Sequence, residues 1–146
     1  MGKVEKIDIA LELLESALYH YYESDSYFSA IHCAGAAEEI LGKYVEIYGG
    51  QSAFEKDHYS IRRTSKALTG QEPSKKHISK TMNYAKNTTK HMDGVFDNKV
   101  LGNPKVSAKN LLDRAIENYY FLMPYIELPE TINIKRFHLE LVGITS

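Results

Sequence analysis

The chain has 146 residues, a common length for one domain, and its 18 Lys and Arg residues nearly balance 19 Asp and Glu residues. A formal net charge of -1 gives no overall field that would attract nucleic acid or an anionic membrane, so any anion-binding site has to be local. Cys33 is the single cysteine, which excludes an intramolecular disulfide and a zinc site built from several cysteines.

The apolar residues are too dispersed for a membrane protein. Residues 1–8 are charged, unlike a signal peptide, and no run approaches the roughly 18 apolar residues of a membrane span. The sequence therefore predicts a cytoplasmic protein without membrane contact. It also contains no P-loop, dinucleotide fingerprint, nucleophile elbow or zinc-protease motif, so the common enzyme classes are not indicated.

Hydrophobic periodicity predicts two helices in the first third of the chain. The first covers 3–23 and the second 27–48, joined by a short Ser-Asp-Ser turn. The apolar arc of the second helix covers roughly 200 degrees, which is typical of a central helix with neighbours on two sides. Glu38 interrupts this arc, and two interpretations stay open. It is either an edge carboxylate that reaches solvent or pairs with a lysine, or a glutamate that faces a shared polar site.

The remaining sequence predicts further helices, a loop and a tail. Helical spacing marks 51–69, 75–92 and 105–123, and the stretch 93–104, with its glycines and proline, is typical of a loop. The alternation at Ile132 and Ile134 indicates an extended segment, and the apolar tail should dock on the bundle or on a second subunit. We therefore expect one all-α domain of about five helices over 1–126 and a docked tail over 127–146.

The predicted helix over 75–92 carries the candidate functional residues. Its narrow apolar stripe, from Ile78 to Met92, should face the core. On the opposite side lies a polar ladder of five residues: Asn83, Asn87 and His91, which recur every four residues, and the flanking Lys86 and Lys90. Three interpretations of this ladder stay open: a solvated helix face, a catalytic motif, or part of a cleft that binds a small ligand or nucleotide.

The histidines and tyrosines do not indicate a metal site or a cofactor. His77 and His91 lie too far apart on one predicted helix to share an ion, so we expect no metal and no cofactor. Tyrosines cluster near the ends of the first and last predicted helices. They could stack on bases, but at helical spacing tyrosines more commonly belong to a core or an interface.

The run Lys86-Asn87-Thr88-Thr89-Lys90-His91 resembles the R-N-x-x-x-H motif of the HEPN superfamily, with lysine where the family has arginine. The opening hairpin adds to the resemblance, because the Ala-rich run 30–43 with Glu38 and Glu39 is similar to the family's second helix. The resemblance spans roughly residues 3–123. It implies an up-and-down antiparallel bundle of four to five helices that commonly forms a homodimer and brings two motifs together at the subunit interface.

The resemblance also implies roles for the ladder. Many members are metal-independent endoribonucleases of toxin-antitoxin or defence systems. In such an enzyme His91 would be the general acid or base at the RNA phosphate, Asn87 would orient His91 or the phosphate, and Lys86 would neutralise charge on the phosphoryl oxygens. The candidate binding residues around them are Lys90, Asn83 and Glu38.

The lysine leaves two functions open. An ammonium makes one flexible contact where a guanidinium holds two oxygens, so Lys86 is the weak point of the ribonuclease hypothesis. The alternative is an inactive helical module for dimerisation or protein interaction, as in other members of the superfamily. The expected partners are a second copy of the chain, an RNA substrate, and an antitoxin or a nucleotidyltransferase-like protein.

Overall fold

A computed structural model describes residues 2–143, and within that range the chain is a helical bundle without strands. Its seven helices, in chain order, are α1 (Lys6–Tyr22), α2 (Tyr27–Ile47), α3 (Ala53–Thr69), α4 (Lys75–Met82), α5 (Tyr84–Thr88), α6 (Pro104–Leu122) and α7 (Ile132–Leu141). The predicted all-α bundle is confirmed. It has more helices than expected because the fourth predicted helix divides in two and the tail forms a helix. None of the described helices is both long enough and apolar enough to cross a membrane.

Helix α2 lies at the centre of the bundle, as its wide apolar arc predicts. It packs against α1 on one side and α6 on the other. Its small residues Ala30, Ala34 and Ala37 are fully buried, which lets the larger side chains of both neighbours pack against it. Each large apolar side chain buried in this way, such as Leu18 or Leu112, contributes about 1.5–3 kcal/mol.

Helices α3 and α4 form a hairpin beside this core, and polar caps set their ends. The Ser52 hydroxyl accepts a hydrogen bond from the Glu55 amide at 3.3 Å, and Ser74 accepts one from the His77 amide at 3.1 Å. Helix α3 stops at Gly70, whose φ of 74° is left-handed and suits glycine. The turn that follows places α4 against α3.

The prediction of an extended segment at Ile132 and Ile134 is wrong, because these residues open α7. The Thr131 hydroxyl caps α7 by accepting a hydrogen bond from the Ile134 amide at 3.3 Å. Ile134 and Phe137, one helical turn apart, are buried against the bundle, whereas Ile132 is exposed. Helix α7 packs on α1 and α6 of the same chain.

Several tyrosines hold α7 in place. The rings of Tyr21 and Tyr22 meet Phe137 edge to face, and the Arg136 guanidinium lies 3.7 Å from the centre of the Tyr22 ring. Tyr119 donates a hydrogen bond to the Pro129 carbonyl at 2.7 Å, and burial raises the pKa of Tyr119 to about 12. These tyrosines therefore serve packing.

Candidate functional site

The predicted helix over 75–92 is not continuous, so the prediction of one polar ladder along it is wrong. Helix α4 ends at Met82, Asn83 leaves helical geometry with φ -98° and ψ 7°, and α5 ends at Thr88. His91 therefore lies beyond the last helical residue, and it does not stack above Asn83 and Asn87 on one helix face.

The break has a local cause in the composition of this segment. Asn and Thr are poor helix residues because their short polar side chains compete for backbone groups. The hydroxyls of Thr88 and Thr89 each donate to the carbonyl four residues earlier, at 2.6 Å. The apolar stripe also lacks packing at its C-terminal end. Met92 is 65% exposed, so no buried contact stabilises a further helical turn there.

Lys86 does not flank a solvent-facing ladder, which is a second correction. It is the only buried residue of α5, with 7% of its surface exposed. Its aliphatic stem crosses Gly35 of α2, where a Cβ atom would lie 2.6 Å from Lys86 Cδ. Its ammonium group forms an ion pair with the Glu39 carboxylate. Lys86 thus fastens α5 to α2.

Glu38 is a buried carboxylate and pairs with an arginine, not with a lysine at the edge of the arc. Only 4% of its surface is exposed, and its Oε2 accepts a hydrogen bond from Arg114 Nε of α6 at 2.9 Å. Burial raises the pKa of Glu38, and the charges of Arg114 and Lys86 oppose that rise. The buried pair joins α2 to α6.

Asn118 connects this pair to the start of α3. Its Oδ1 accepts a hydrogen bond from the Ala53 amide at 2.9 Å, and its Nδ2 donates to the Glu38 carbonyl at 3.4 Å. The Ala53 amide belongs to the first turn of α3, where backbone N–H groups have no partner within the helix. Asn118 therefore fixes α3 against the α2–α6 core.

Three of the six candidate residues line one cavity, and three do not. Glu38, Asn83 and Lys86 line a cavity of about 620 Å³, together with Glu39 and Asn118. Among the described residues, the buried Asn83 Oδ1 has no hydrogen-bond partner. The cavity therefore gathers the predicted binding residues Glu38 and Asn83 around Lys86.

Asn87, Lys90 and His91 lie on the exposed surface outside this cavity. Within residues 2–143, none of the three side chains takes part in a hydrogen bond or an ion pair with another residue. The imidazole of His91 is accessible to a ligand from solvent. The six-residue motif is therefore divided between a buried structural lysine and an exposed polar group.

The structure adds residues that the sequence did not single out. Arg114 and Asn118, four residues apart in α6, stand inside an otherwise apolar face that includes Leu111 and Ala115. A charged residue within such a stripe is a signal of a buried pair, although the sequence does not name its partner. His32 of α2 also meets the motif segment, through a hydrogen bond of 3.0 Å with the Thr89 hydroxyl.

The part of the chain from 2 to 143 holds no group of three or more His, Cys, Asp or Glu side chains arranged to bind a metal ion. The chain matches no family model, no curated protein and no solved structure. The resemblance to the HEPN superfamily therefore rests on the motif and on the opening hairpin.

Proposed function

We propose that this chain is a HEPN-like helical module that associates with a second copy of itself and does not cleave RNA. The observation that argues against cleavage is the ion pair between Lys86 and Glu39. In the ribonuclease hypothesis Lys86 must neutralise phosphoryl charge, but here its side chain is buried and its ammonium group is already paired with Glu39. Its stem against Gly35 further limits its movement toward solvent.

The segment that follows the motif supports association. Five large apolar side chains in ten residues are exposed, with Phe96 at 99% and Leu101 at 84%; the others are Met92, Val95 and Val100. Exposed apolar groups at this density are typical of an interaction surface. A second copy fits as the partner, because the resemblance implies a homodimer with the motif at its interface and this segment begins directly after His91.

The test is the oligomeric state of the full chain, measured by sedimentation velocity over a wide range of protein concentration. We expect a dimer for the wild type and a monomer for Phe96→Ser/Leu101→Ser, since both side chains are exposed and their loss leaves the core intact. Leu68→Ser/Ile132→Ser is the matched control, because these side chains are similarly exposed but lie on α3 and α7, and it should remain dimeric. A wild type that stays monomeric throughout would refute the proposal.

A second candidate function is metal-independent cleavage of RNA. It is favoured by the exposed side chains of Asn87, Lys90 and His91, which form no hydrogen bond or ion pair with any other residue of the range 2–143. An accessible imidazole can transfer protons near neutral pH, and Lys90 offers a positive charge beside it. The measurement is cleavage of a labelled RNA in EDTA by the wild type and by His91→Ala. The proposal expects intact RNA from both, whereas cleavage that is abolished by His91→Ala would replace it with the ribonuclease.

A further inference from the structure

Charge is distributed unevenly along a chain whose net charge is close to zero. Residues 59–92 contain eight Lys and Arg residues and one acidic residue, which gives this segment a formal charge of +7. The other residues contain ten Lys and Arg and 18 Asp and Glu, a formal charge of -8, so the two parts sum to the net charge of -1. The balanced composition therefore conceals a strongly basic segment.

The fold turns this segment into a surface on the α3–α4 hairpin. Glu72, the one acidic residue of the segment 59–92, forms an ion pair with Arg62. The remaining cations within residues 59–82 are exposed and, within the described chain, pair with no carboxylate. They form what we name the α3–α4 basic surface: Arg63, Lys66, Lys75, Lys76 and Lys80.

Arg62, Lys66 and Lys75 lie close to the turn between the two helices. The pKa of Glu72 is lowered, first by the hydrogen bond and charge of Arg62 and then by the charges of Lys66 and Lys75. Helix dipoles favour acidic residues in a first turn, yet the first turn of α4 carries Lys75 and Lys76 and no acidic residue. This charge density opposes stability, so the hairpin is better suited to bind an anion than to maximise folding.

An aromatic residue on the same helix face distinguishes between anionic partners. Tyr59, Arg63 and Lys66 follow one another at helical spacing, and the exposed Tyr59 ring lies 5.7 Å from the Arg63 guanidinium. A ring and a guanidinium beside a row of lysines can stack on a base while the lysines contact phosphates. An acidic protein surface could form ion pairs with the lysines, but it carries no nucleic-acid base that could stack on Tyr59.

We propose that the α3–α4 basic surface binds the phosphodiester backbone of a nucleic-acid strand, with Tyr59 as a stacking platform for a base. Five cations on one hairpin could neutralise about five phosphates. This binding goes beyond the proposed function, since it uses neither the motif nor the apolar segment 92–101.

The test is fluorescence polarisation of labelled single-stranded RNA and DNA oligonucleotides with the full chain, in EDTA and at increasing NaCl. For five phosphate contacts, the logarithm of the association constant should fall with the logarithm of salt at a slope of about -3.5. Lys75→Glu/Lys76→Glu should weaken binding by about tenfold or more and reduce that slope by about 1.4. The same variant should raise the unfolding midpoint, because glutamates suit the first turn of α4. A gain in stability with a loss of binding would not arise from damage to the fold.

The matched control is Lys105→Glu/Lys135→Glu, which reverses two exposed lysines near the starts of α6 and α7 and should bind as the wild type does. Tyr59→Ala should weaken oligonucleotide binding by about tenfold and leave binding of poly-glutamate unchanged. RNA and DNA should both bind, since they share the phosphodiester chemistry, and the two probes show whether one is preferred.

Three outcomes would overturn the proposal: no oligonucleotide binding at low salt, equal binding by Lys75→Glu/Lys76→Glu and the wild type, or equally tight binding of poly-glutamate. The last outcome would assign the surface to an acidic protein. Self-association is measured without nucleic acid, and Phe96→Ser/Leu101→Ser leaves the α3–α4 basic surface intact. Failure of one proposal is therefore distinct from failure of the other.

Discussion

Glu38 shows at the scale of one residue what the sequence could and could not predict. Its position in an apolar arc predicted an unusual carboxylate, and the structure places it in the core with Arg114. The partner could not be read from the sequence. Which residue of α6 faces Glu38 depends on the rotation and register of two packed helices, and these are set by the whole core.

Replacement of Arg114 by methionine tests the buried pair. The variant retains an apolar side chain but leaves the Glu38 carboxylate buried without its cation, so we expect a loss of about 3–5 kcal/mol in the free energy of unfolding near neutral pH. Urea titrations of wild type and Arg114→Met measure the difference. Glu38→Gln/Arg114→Met removes both charges and should recover most of the stability.

The same variant should show a defined pH dependence. The folded-state pKa of Glu38 already lies above its ordinary value of 4.5, and loss of Arg114 removes the largest opposing charge and raises it further. An acid whose folded-state pKa is raised favours folding when protonated, so stability falls as pH rises from about 4.5 through that pKa. The deficit of Arg114→Met should therefore shrink toward acid pH and be largest above the folded-state pKa of Glu38. A deficit that is independent of pH would show that Glu38 is not charged in the folded protein.

At the scale of secondary structure, long periodic segments were predictable and short ones were not. The periodic patterns predicted α1, α2 and α6 almost to their ends, because each helix buries a sustained apolar face. The break at Asn83 and the helix at Ile132 depend instead on a few tertiary contacts. Lys86 docks α5 on α2, and Phe137 docks α7 on α1 and α6. A short stretch of sequence contains only one of the two residues that form each such contact.

Two glycines of α2 provide a matched test of how α5 docks. A Cβ atom at Gly35 would lie 2.6 Å from Lys86 Cδ in the middle of the lysine stem, whereas one at Gly42 would lie 3.4 Å from Ser52 Cβ. Alanine gains about 1 kcal/mol of helix propensity over glycine at either site. We expect Gly42→Ala to be neutral or stabilising, and Gly35→Ala to release α5.

Amide hydrogen exchange over residues 84–89 measures that release. Protection there should fall in Gly35→Ala and stay unchanged in Gly42→Ala. In Gly35→Ala/Lys86→Ala the effect of the first substitution on stability should largely disappear, because the clashing stem is gone. Equal protection in the two single variants would contradict the assignment of Lys86 as the residue that docks α5.

At the scale of the whole molecule, the near-zero net charge and the α3–α4 basic surface lead to a salt effect. Repulsion among exposed lysines is screened over about 10 Å at 0.1 M salt, so the thermal midpoint should rise as NaCl is added from low ionic strength. Lys75→Glu/Lys76→Glu should lose most of this rise, and Lys105→Glu/Lys135→Glu should keep it. Thermal unfolding followed by circular dichroism measures all three. If the thermal midpoint rose equally with NaCl in all three proteins, the repulsion would not come from the α3–α4 basic surface.

The position of Lys86 against Gly35 also explains why a lysine can occupy the first place of the motif. Its stem packs on Gly35 of α2 and its ammonium group pairs with Glu39, so the residue contributes to the packing of α5 whatever the chemistry nearby. Lys86→Arg would restore the superfamily motif in sequence, yet the guanidinium would still face a carboxylate. An arginine at this position would therefore reach a phosphate only if Glu39 of α2 were changed as well, so the first position of the motif and the α2 face opposite it act as one unit.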